Sequence, residues 1–558
     1  MGKSQKTGAE QLAAFLKKRQ VDHVFGIPGS QDLDLYEAVD RASIRVILAA
    51  HEQGAGFMAI GWARARRSPG VLFVIAGPGF TNALTTLAEA HFDEVPLLCL
   101  LVKSQTITGR RFQFQRIDER TMAQQFLKRV VSIESTEDLL VRMEEAFRAA
   151  QDGIPGPVLV EIALPILTQK SVPPVSSFHP PSEPISDAKD FPLGDIGKRI
   201  LSAQRPVVYL GRGTEAAAGG ILSFVERLEC PVLVTPAARG ILPENHAFYI
   251  GGDLVRNDVS DVNALLDRSD LVLALGCRFT QACTGGYRLR LPRDRLVLIE
   301  SELGFEPEGR DIISIPVKVD RFIRFLQKSG LLSGWTHSWK AQELAEWRKR
   351  LMTVTRSRFL EPGFKGLKPG TARTFFQILR GEMPDSFRMV TDSGLHQLMA
   401  RRWHEARTPA SFLFPQEYQS MGFGLPVSIG AALAEPERPT MAVIGDGGFA
   451  MTGMELGTAV RENISLMVTV FNDGHLGIIR LAQIKRWGRS VATRTPPLDL
   501  AGFARAAGAK YHKVDHDLTK ILARCREGGV HLIEVLLRDN LDIYRAKARG
   551  KLKTRHFF

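Results

Sequence analysis

Short uninterrupted apolar runs alternate with stretches of helical periodicity three times along this chain. In the first 165 residues, Val21–Ile27, Ile44–Ala49, Val71–Ala76, Pro96–Val102 and Pro157–Ile162 are continuous apolar segments of strand length. Between them Ala9–Lys18, Gln53–Arg66 and Asn82–His91 carry apolar residues at helical spacing. Strands without polar alternation are buried on both faces, and strand–helix–strand repetition implies a parallel sheet covered on each side. The rhythm stops at Ser171–Pro184, where Pro173, Pro174, Pro180, Pro181 and Pro184 stand among serines. Such a segment can neither join a sheet nor continue a helix and reads as a linker. A second α/β block runs from about 190 to 326, with expected strands at Pro206–Leu210, Pro231–Thr235, Leu271–Leu275 and Arg295–Ile299. A charged helix, Trp339–Leu351, leads to a third block with strands at Met389–Thr391, Met441–Ile444, Leu466–Phe471 and His531–Leu536. The expected fold class is therefore α/β, with three doubly wound parallel-sheet domains at 1–170, 188–330 and 368–545. The three share a rhythm but no direct sequence repeat.

Composition narrows the picture. Hydrophobic residues are 44% and charged residues 24% of 558, which is globular rather than disordered. No apolar run approaches the roughly 18 residues that a bilayer-spanning helix needs. The N-terminus lacks the apolar core of a signal peptide, and helical periodicity begins by Thr7, so a cytoplasmic protein is expected. Five scattered cysteines form no CxxC pair, which fits reduced thiols rather than a disulfide or zinc framework. The net charge of +13 raises the question of an anionic partner. Lys and Arg are spread along the chain, however, with dense runs only at Arg64–Arg67 and Lys547–Arg555. The first run sits at an expected helix end, where cations complement the dipole. Neither a nucleic acid nor a membrane is expected as a partner.

The sharpest chemistry lies in the third block. The strand at Met441–Ile444 runs into Gly445-Asp446-Gly447-Gly448, a helical pattern follows, and the strand at Leu466–Phe471 ends in Asn472-Asp473-Gly474. Parallel strands emerge at one sheet edge, so the two polar clusters face each other across a crevice. Glycines let the backbone approach a ligand and expose N–H groups, and a helix start adds positive potential. Asp446 and Asp473, 27 residues apart, supply hard oxygen ligands of the kind Mg²⁺ takes together with phosphate oxygens. Each half alone is what an ordinary turn looks like; the pair in the right elements points to a diphosphate held through a divalent cation. In the first block His51-Glu52 opens a helix, and the turns Phe25–Ser30 and Ala76–Asn82 join strands to helices at the same sheet edge. In the second block Gly211–Ala216 fits G-x-G-x-x-A, but the next strand ends Thr235-Pro236 without the acidic residue of a dinucleotide site, so it reads as a tight strand-to-helix turn.

Together Gly445-Asp446-Gly447 with Asn472-Asp473, His51-Glu52, the Gly77–Asn82 turn and Met421-Gly422-Phe423-Gly424-Leu425-Pro426 resemble the thiamine-diphosphate enzyme family, in its acetolactate synthase-like branch. The resemblance spans essentially the whole chain. It implies pyrimidine-binding, central and diphosphate-binding domains in that order. It implies thiamine diphosphate and Mg²⁺ as cofactors, with Asp446, Asp473 and the carbonyl of His475 as metal ligands. It assigns the diphosphate to backbone at Gly394, His396, Gly447 and Gly448. Met421 corresponds to the apolar wedge that bends the coenzyme, and the backbone of Gln419 and Met421 to the aminopyrimidine contact. Glu52 corresponds to the catalytic acid that hydrogen-bonds N1′ from a neighbouring subunit and so turns the 4′-amino group into the base for C2–H. The implied activity is decarboxylation of a 2-oxo acid, followed by carboligation; the alternative is a decarboxylase or acyl-CoA-type lyase without a second 2-oxo acid. A homodimer or homotetramer with active sites at the subunit interface follows.

Several positions depart from the family. Asp473 stands for an Asn, Gly394-Leu395-His396-Gln397 lacks one side-chain amide of a GQHQ-type segment, and Val102-Lys103 replaces an expected Gly-Gln. Gly477-Ile478-Ile479-Arg480-Leu481 lacks the Trp that helps synthases choose an acceptor. Phe112-Gln113 and Gln115 lie where the family has a substrate-side Phe-Gln, and there is no His-His pair like that of pyruvate decarboxylases. Gly276-Cys277-Arg278-Phe279 resembles a strand end that meets FAD in some relatives. Relatives without flavin keep similar sequence there, so FAD is not expected.

Overall fold

The computed structural model describes residues 5–103, 111, 113–171, 193–302, 312–353, 362–515 and 517–538. Most of the expected linker, Phe112 and the basic run at 547–555 lie outside these residues. A two-residue antiparallel pair, β1 (Lys6–Thr7) and β8 (Lys170–Ser171), closes the first domain. Its sheet holds β2 (His23–Gly26), β3 (Arg45–Leu48), β4 (Gly70–Ile75), β5 (Leu97–Lys103), β6 (Arg129–Ile133) and β7 (Pro157–Ala163), in the order β3-β2-β4-β5-β7-β6. The central sheet holds β9 (Pro206–Leu210), β10 (Val232–Val234), β11 (Tyr249–Gly251), β12 (Leu271–Leu275), β13 (Leu296–Glu300) and β14 (Ile313–Pro316), in the order β11-β10-β9-β12-β13-β14. The third holds β15 (Arg388–Thr391), β16 (Phe412–Leu413), β17 (Thr440–Gly445), β18 (Leu466–Asn472), β19 (Lys510–Lys513) and β20 (Val530–Leu536), in the order β16-β15-β17-β18-β20-β19. All pairings within the three sheets are parallel. The first and third domains thus have one topology, and the central domain has the Rossmann order.

The apolar runs divide between two faces because side chains alternate. Val71 and Phe73 of β4 face one core with the helices Gly8–Lys18 and Leu139–Gln151. Leu72 and Val74 face another, which continues into Ala442, Ile444, Val468 and Val470 of the third domain. The first and third domains therefore share a core; the central domain has its own. Helices Glu52–Arg66 and Gly424–Ala434 make the seam. They approach backbone to backbone: a Cβ on Gly61 would lie 2.0 Å from the Val427 carbonyl oxygen, and one on Gly430 1.8 Å from that of Met58. Gly430→Ala must therefore push the helices apart, at a cost of about 1–3 kcal/mol. A thermal melt of this variant is expected to start several degrees below that of the parent, and an unchanged melt contradicts the close approach.

Two expectations change. Arg64 is not a solvated cation at a helix end. It is buried, with its guanidinium 3.5 Å from Asp93 and donating to the Phe414 carbonyl at 3.4 Å, because the third domain covers that end of the helix. The helical pattern after Asp446 is two helices, Asp446–Thr452 and Glu455–Arg461, broken at Gly453-Met454. Among the described residues no helix is long and apolar enough to cross a membrane.

Candidate active site

In the third sheet the strand order reverses between β15 and β17, and a crevice opens there at the carboxyl ends of the strands. Gly445 of β17 pairs with Phe471 of β18, so Asp446 and Asp473 leave the sheet at the same edge. Burial raises the Asp446 carboxyl above the usual range. Burial, and then the charge of Asp446, push Asp473 up to about 7. Two acids that disfavour each other's charge in a buried crevice form a hard-oxygen donor set suited to a small divalent cation. The backbone N–H of His475 donates to Asp473 Oδ1 at 3.0 Å, and His475 Nδ1 lies 2.8 Å from the Asp473 carbonyl. The segment Thr493–Thr495 closes over this turn: Leu476 N–H donates to the Thr493 carbonyl at 2.7 Å, Thr495 N–H donates to the Gly474 carbonyl at 3.0 Å, and the Thr495 hydroxyl donates to Asp446.

The glycines after β17 are required by their neighbours. A Cβ on Gly448 would lie 2.3 Å from Asp392 Oδ2, and one on Gly447 2.8 Å from Leu476 Cδ2 and 3.5 Å from Met421 Cε. Asp392 is buried and its carboxyl is pushed up to about 7 by burial. It accepts the backbone N–H groups of Ser393 (2.7 Å), Gly422 (2.9 Å) and Phe423 (3.3 Å), which fastens the loop after β15 to the Met421 turn. Gln419 has φ +62°, and its side chain accepts from the Ser393 hydroxyl at 3.2 Å while donating to the Gln416 carbonyl at 2.8 Å. His396 lies under Gly394 and Gly445; a Cβ on Gly394 would sit 2.6 Å from its ring. Burial pushes this imidazole down to about 4, so it is neutral, and its buried Nε2 has no partner. Gly394, His396, Gln419, Met421, Asp446, Gly447, Gly448, Asp473 and His475 thus lie together at the carboxyl ends of β15, β17 and β18. A paired carboxylate set, a glycine-lined floor and an unpartnered buried imidazole nitrogen fit a metal-bound diphosphate.

Glu52 stands elsewhere, in the first turn of the seam helix at the carboxyl edge of the first sheet. Asn82 Nδ2 donates to its Oε2 at 2.9 Å, and a Cβ on Gly79 would lie 3.6 Å from its Oε1. Gly29 and Gly79 both press on Ile75, so the three Gly-rich turns converge beside Glu52. The third domain fixes this helix start: Glu455 accepts the N–H groups of Ala50 (3.1 Å) and His51 (3.3 Å), and a Cβ on Gly54 would lie 2.0 Å from Glu455 Oε1. The sequence pattern flagged none of Asn82's hydrogen bond, Glu455, Asp392 or Thr495 as site features. Asn82 lies inside the Gly77–Asn82 turn and Asp392 just before the Gly394–Gln397 segment, whereas Glu455 and Thr495 are isolated polar residues without a motif.

In the central domain Gly211–Ala216 forms a strand end and a short 3₁₀ turn (Arg212–Ala217). A Cβ on Gly211 would lie 2.0 Å from the Gly276 carbonyl oxygen, and one on Gly213 2.7 Å from Gly276 Cα. These glycines serve the contact between two strand ends, which accounts for the motif without a dinucleotide. Arg278 pairs with Glu94 at 2.6 Å, and the crevice beside them, lined also by Arg212 and Phe279, holds about 40 Å³. A larger crevice of about 260 Å³ shares Glu94 and Arg212 with it and runs on past Gly213, Glu215 and Glu300.

Comparison with known proteins follows the same division. Residues 6–122 match the family "Thiamine pyrophosphate enzyme, N-terminal TPP binding domain", residues 193–304 its central domain and residues 392–535 its C-terminal TPP binding domain. The chain is 30% identical over 509 residues to the acetolactate synthase isozyme 1 large subunit of Escherichia coli (strain K12), covering 90% of this chain and 88% of that protein. It is 30% identical over 550 residues to the probable 2-ketoarginine decarboxylase AruI of Pseudomonas aeruginosa, covering 95% and 94%. It is 28% identical over 579 residues to the mitochondrial acetolactate synthase of Schizosaccharomyces pombe, covering 98% and 85%.

Proposed function

The chain belongs to the thiamine pyrophosphate enzymes, in their acetolactate synthase-like branch, and we propose that it decarboxylates a 2-oxo acid and joins the retained fragment to a second 2-oxo acid. The observation that carries the reading is the pairing of the buried Asp446 with the half-buried Asp473 beside the Gly447-Gly448 turn. Thiamine diphosphate, bound with Mg²⁺, supplies an electron sink for the pair released as CO₂ departs. The protein's share is position and charge. Asp446, Asp473 and the His475 carbonyl hold the cation. Backbone at Gly394, His396, Gly447 and Gly448 holds the diphosphate, and its glycines leave room for oxygens where side chains would stand. Met421 presents an apolar thioether beside Gly447 as the wedge, and the Gln419–Met421 backbone meets the aminopyrimidine. Glu52, kept in place by Asn82 and by the Glu455-anchored turn, holds a proton at N1′. No step is assigned to flavin, and we read the Glu94–Arg278 pair as a lock between the first and central domains.

A second reading keeps cofactor and site but stops at decarboxylation. It is favoured by the relative named as a decarboxylase, which is matched over 94% of its length. The absent acceptor Trp points the same way. Pyruvate alone, supplied with thiamine diphosphate and Mg²⁺, separates the two. Acetolactate by mass supports carboligation, acetaldehyde supports the second reading, and neither product, with CO₂ released from other 2-oxo acids in a screen, excludes pyruvate as donor. The same preparation is expected to show no flavin absorbance.

A further inference from the structure

Far from the crevice, at the outer edge of the third sheet, three residues that no part of the proposed reaction uses come together. His512 lies on the edge strand β19, His531 near the amino end of its neighbour β20, and Cys525 at the end of the helix Leu518–Cys525 that packs beside them. In the register Lys510 pairs with His531, so Lys510, His512 and His531 share one face of the sheet. One potential ligand atom from each of His512, Cys525 and His531 lies within 4.8 Å of the others. Cys525 and His531 are buried and His512 is half-buried. His531 also pairs across to Met467 at the amino end of β18, whereas Asp473 follows the carboxyl end of that strand. Six residues of strand separate the two places by about 20 Å.

The hydrogen bonds fix the protons. His531 Nε2 lies 3.1 Å from the Gly528 carbonyl, which can only accept, so Nε2 carries the hydrogen. Burial lowers both imidazoles from their ordinary value, which favours the neutral rings. His531 Nδ1 is therefore a bare lone pair, and His512 Nε2–H donates to it at 2.9 Å. A ring whose outer N–H is held by a backbone carbonyl while its inner nitrogen stays free is oriented as metal-ligating histidines are. The thiol of Cys525 completes a two-nitrogen, one-sulfur set, in which a cation would take the place of the shared hydrogen.

We propose that His512 Nε2, His531 Nδ1 and Cys525 Sγ form a site for Zn²⁺. Bonds of about 2.0–2.1 Å to nitrogen and 2.3 Å to sulfur set ligand atoms about 3.3–3.7 Å apart, which needs only small ring and χ adjustments from the present spacing. The proton balance is simple: His512 moves its hydrogen to Nδ1, and Cys525 releases one proton as the Zn–S bond forms. The surroundings temper the affinity. Burial pushes the thiol up to about 12, so a proton must be driven off. The Lys510 ammonium, which donates to the same Gly528 carbonyl at 3.2 Å, repels a cation but favours the thiolate. Arg524 adds positive charge beside His512, and Glu527 offsets part of it beside His531. Three protein ligands leave a fourth position for water or an external donor. Occupancy would tie the edge strand to β20 and to the helix beneath, which protects an edge that otherwise offers unpaired backbone groups.

The test uses the full-length protein saturated with thiamine diphosphate and excess Mg²⁺, so that the first metal centre is filled. Zn²⁺ titrated by calorimetry is expected to bind one ion per chain with release of a proton, and Co²⁺ is expected to give a thiolate-to-metal charge-transfer band. Cys525→Ser should abolish that band, and His512→Gln should weaken Zn²⁺ binding at least tenfold, with Mg²⁺-dependent activity retained in both. Absence of saturable Zn²⁺ uptake overturns the proposal and leaves the two rings a hydrogen-bonded pair. A Co²⁺ band that survives Cys525→Ser, or Zn²⁺ affinity unchanged in His512→Gln, overturns it as well.

Discussion

Asp446→Ala is expected to leave a folded chain that no longer retains thiamine diphosphate. The carboxylate sits in no apolar core; its partners are the Thr495 hydroxyl and the charge of Asp473. Removing it takes away a hard oxygen ligand that Mg²⁺ needs alongside the phosphate oxygens. We expect coenzyme affinity to fall at least about 100-fold, or about 2.8 kcal/mol. The stability of the coenzyme-free protein should move the other way. The Asp473 carboxyl is held near 7 by burial and, second, by Asp446, so deleting Asp446 relieves a repulsion between buried charges. A carboxyl raised in the folded state binds its proton more tightly folded than unfolded. It therefore lowers stability as pH rises from the ordinary carboxylate range towards 7. The variant without coenzyme should consequently melt no lower than the parent at neutral pH. Desalting after incubation with coenzyme and Mg²⁺, then measuring retained coenzyme, decides the matter; full retention removes Asp446 from the metal site. Asp473→Asn, which restores the residue usual in the family, should keep the coenzyme, weaken Mg²⁺ about tenfold and raise the melting temperature of the coenzyme-free protein.

What could be read without coordinates, and what could not, follows from burial. Every interior strand of the three sheets has an apolar run that marks it, and strand boundaries fall within a residue or two of those runs. Besides the two-residue β1 and β8, the strands that passed unmarked are β6, β11, β14, β16 and β19, and each lies at a sheet edge. An edge strand has one neighbour and needs fewer apolar side chains; Lys510–Lys513 is Lys-Tyr-His-Lys, and Phe412–Leu413 is two residues long. Strand order was also not legible. The first and third domains share their topology without a sequence repeat, because order depends on which helices cross which face, and the apolar rhythm is the same for either order. At the site, Gly445–Gly448 and Asn472–Gly474 are visible because turn chemistry and ligand chemistry coincide there. Glu455 acts across domains, and Asp392 and Thr495 act across 30 and 49 residues of chain, in hydrogen bonds that no local spacing encodes.

Glu52→Gln is expected to bind the coenzyme nearly as well as the parent and to slow exchange of its C2 proton about 10²- to 10⁴-fold, the range for loss of a positioned acid–base group. The change preserves shape, and Asn82 can still meet a side-chain oxygen at that position, so the helix start held by Glu455 is not disturbed. What goes is the ability to hold a proton at N1′. Exchange followed by NMR after acid quench reads this apart from turnover, and an unchanged rate takes Glu52 out of the mechanism. Because Glu52 and Asp446 belong to different domains, the variants also test how the site is assembled. If each site takes Glu52 from one subunit and Asp446 from the other, a dimer of one Glu52→Gln chain and one Asp446→Ala chain contains one intact site and one doubly defective site. Unfolding and refolding the two inactive variants together, with random pairing, should then restore about a quarter of the parent activity. Sedimentation should show at least a dimer in the active fraction. If both residues of a site came from the same chain, every site in the mixture would carry a defect, and mixing would restore nothing.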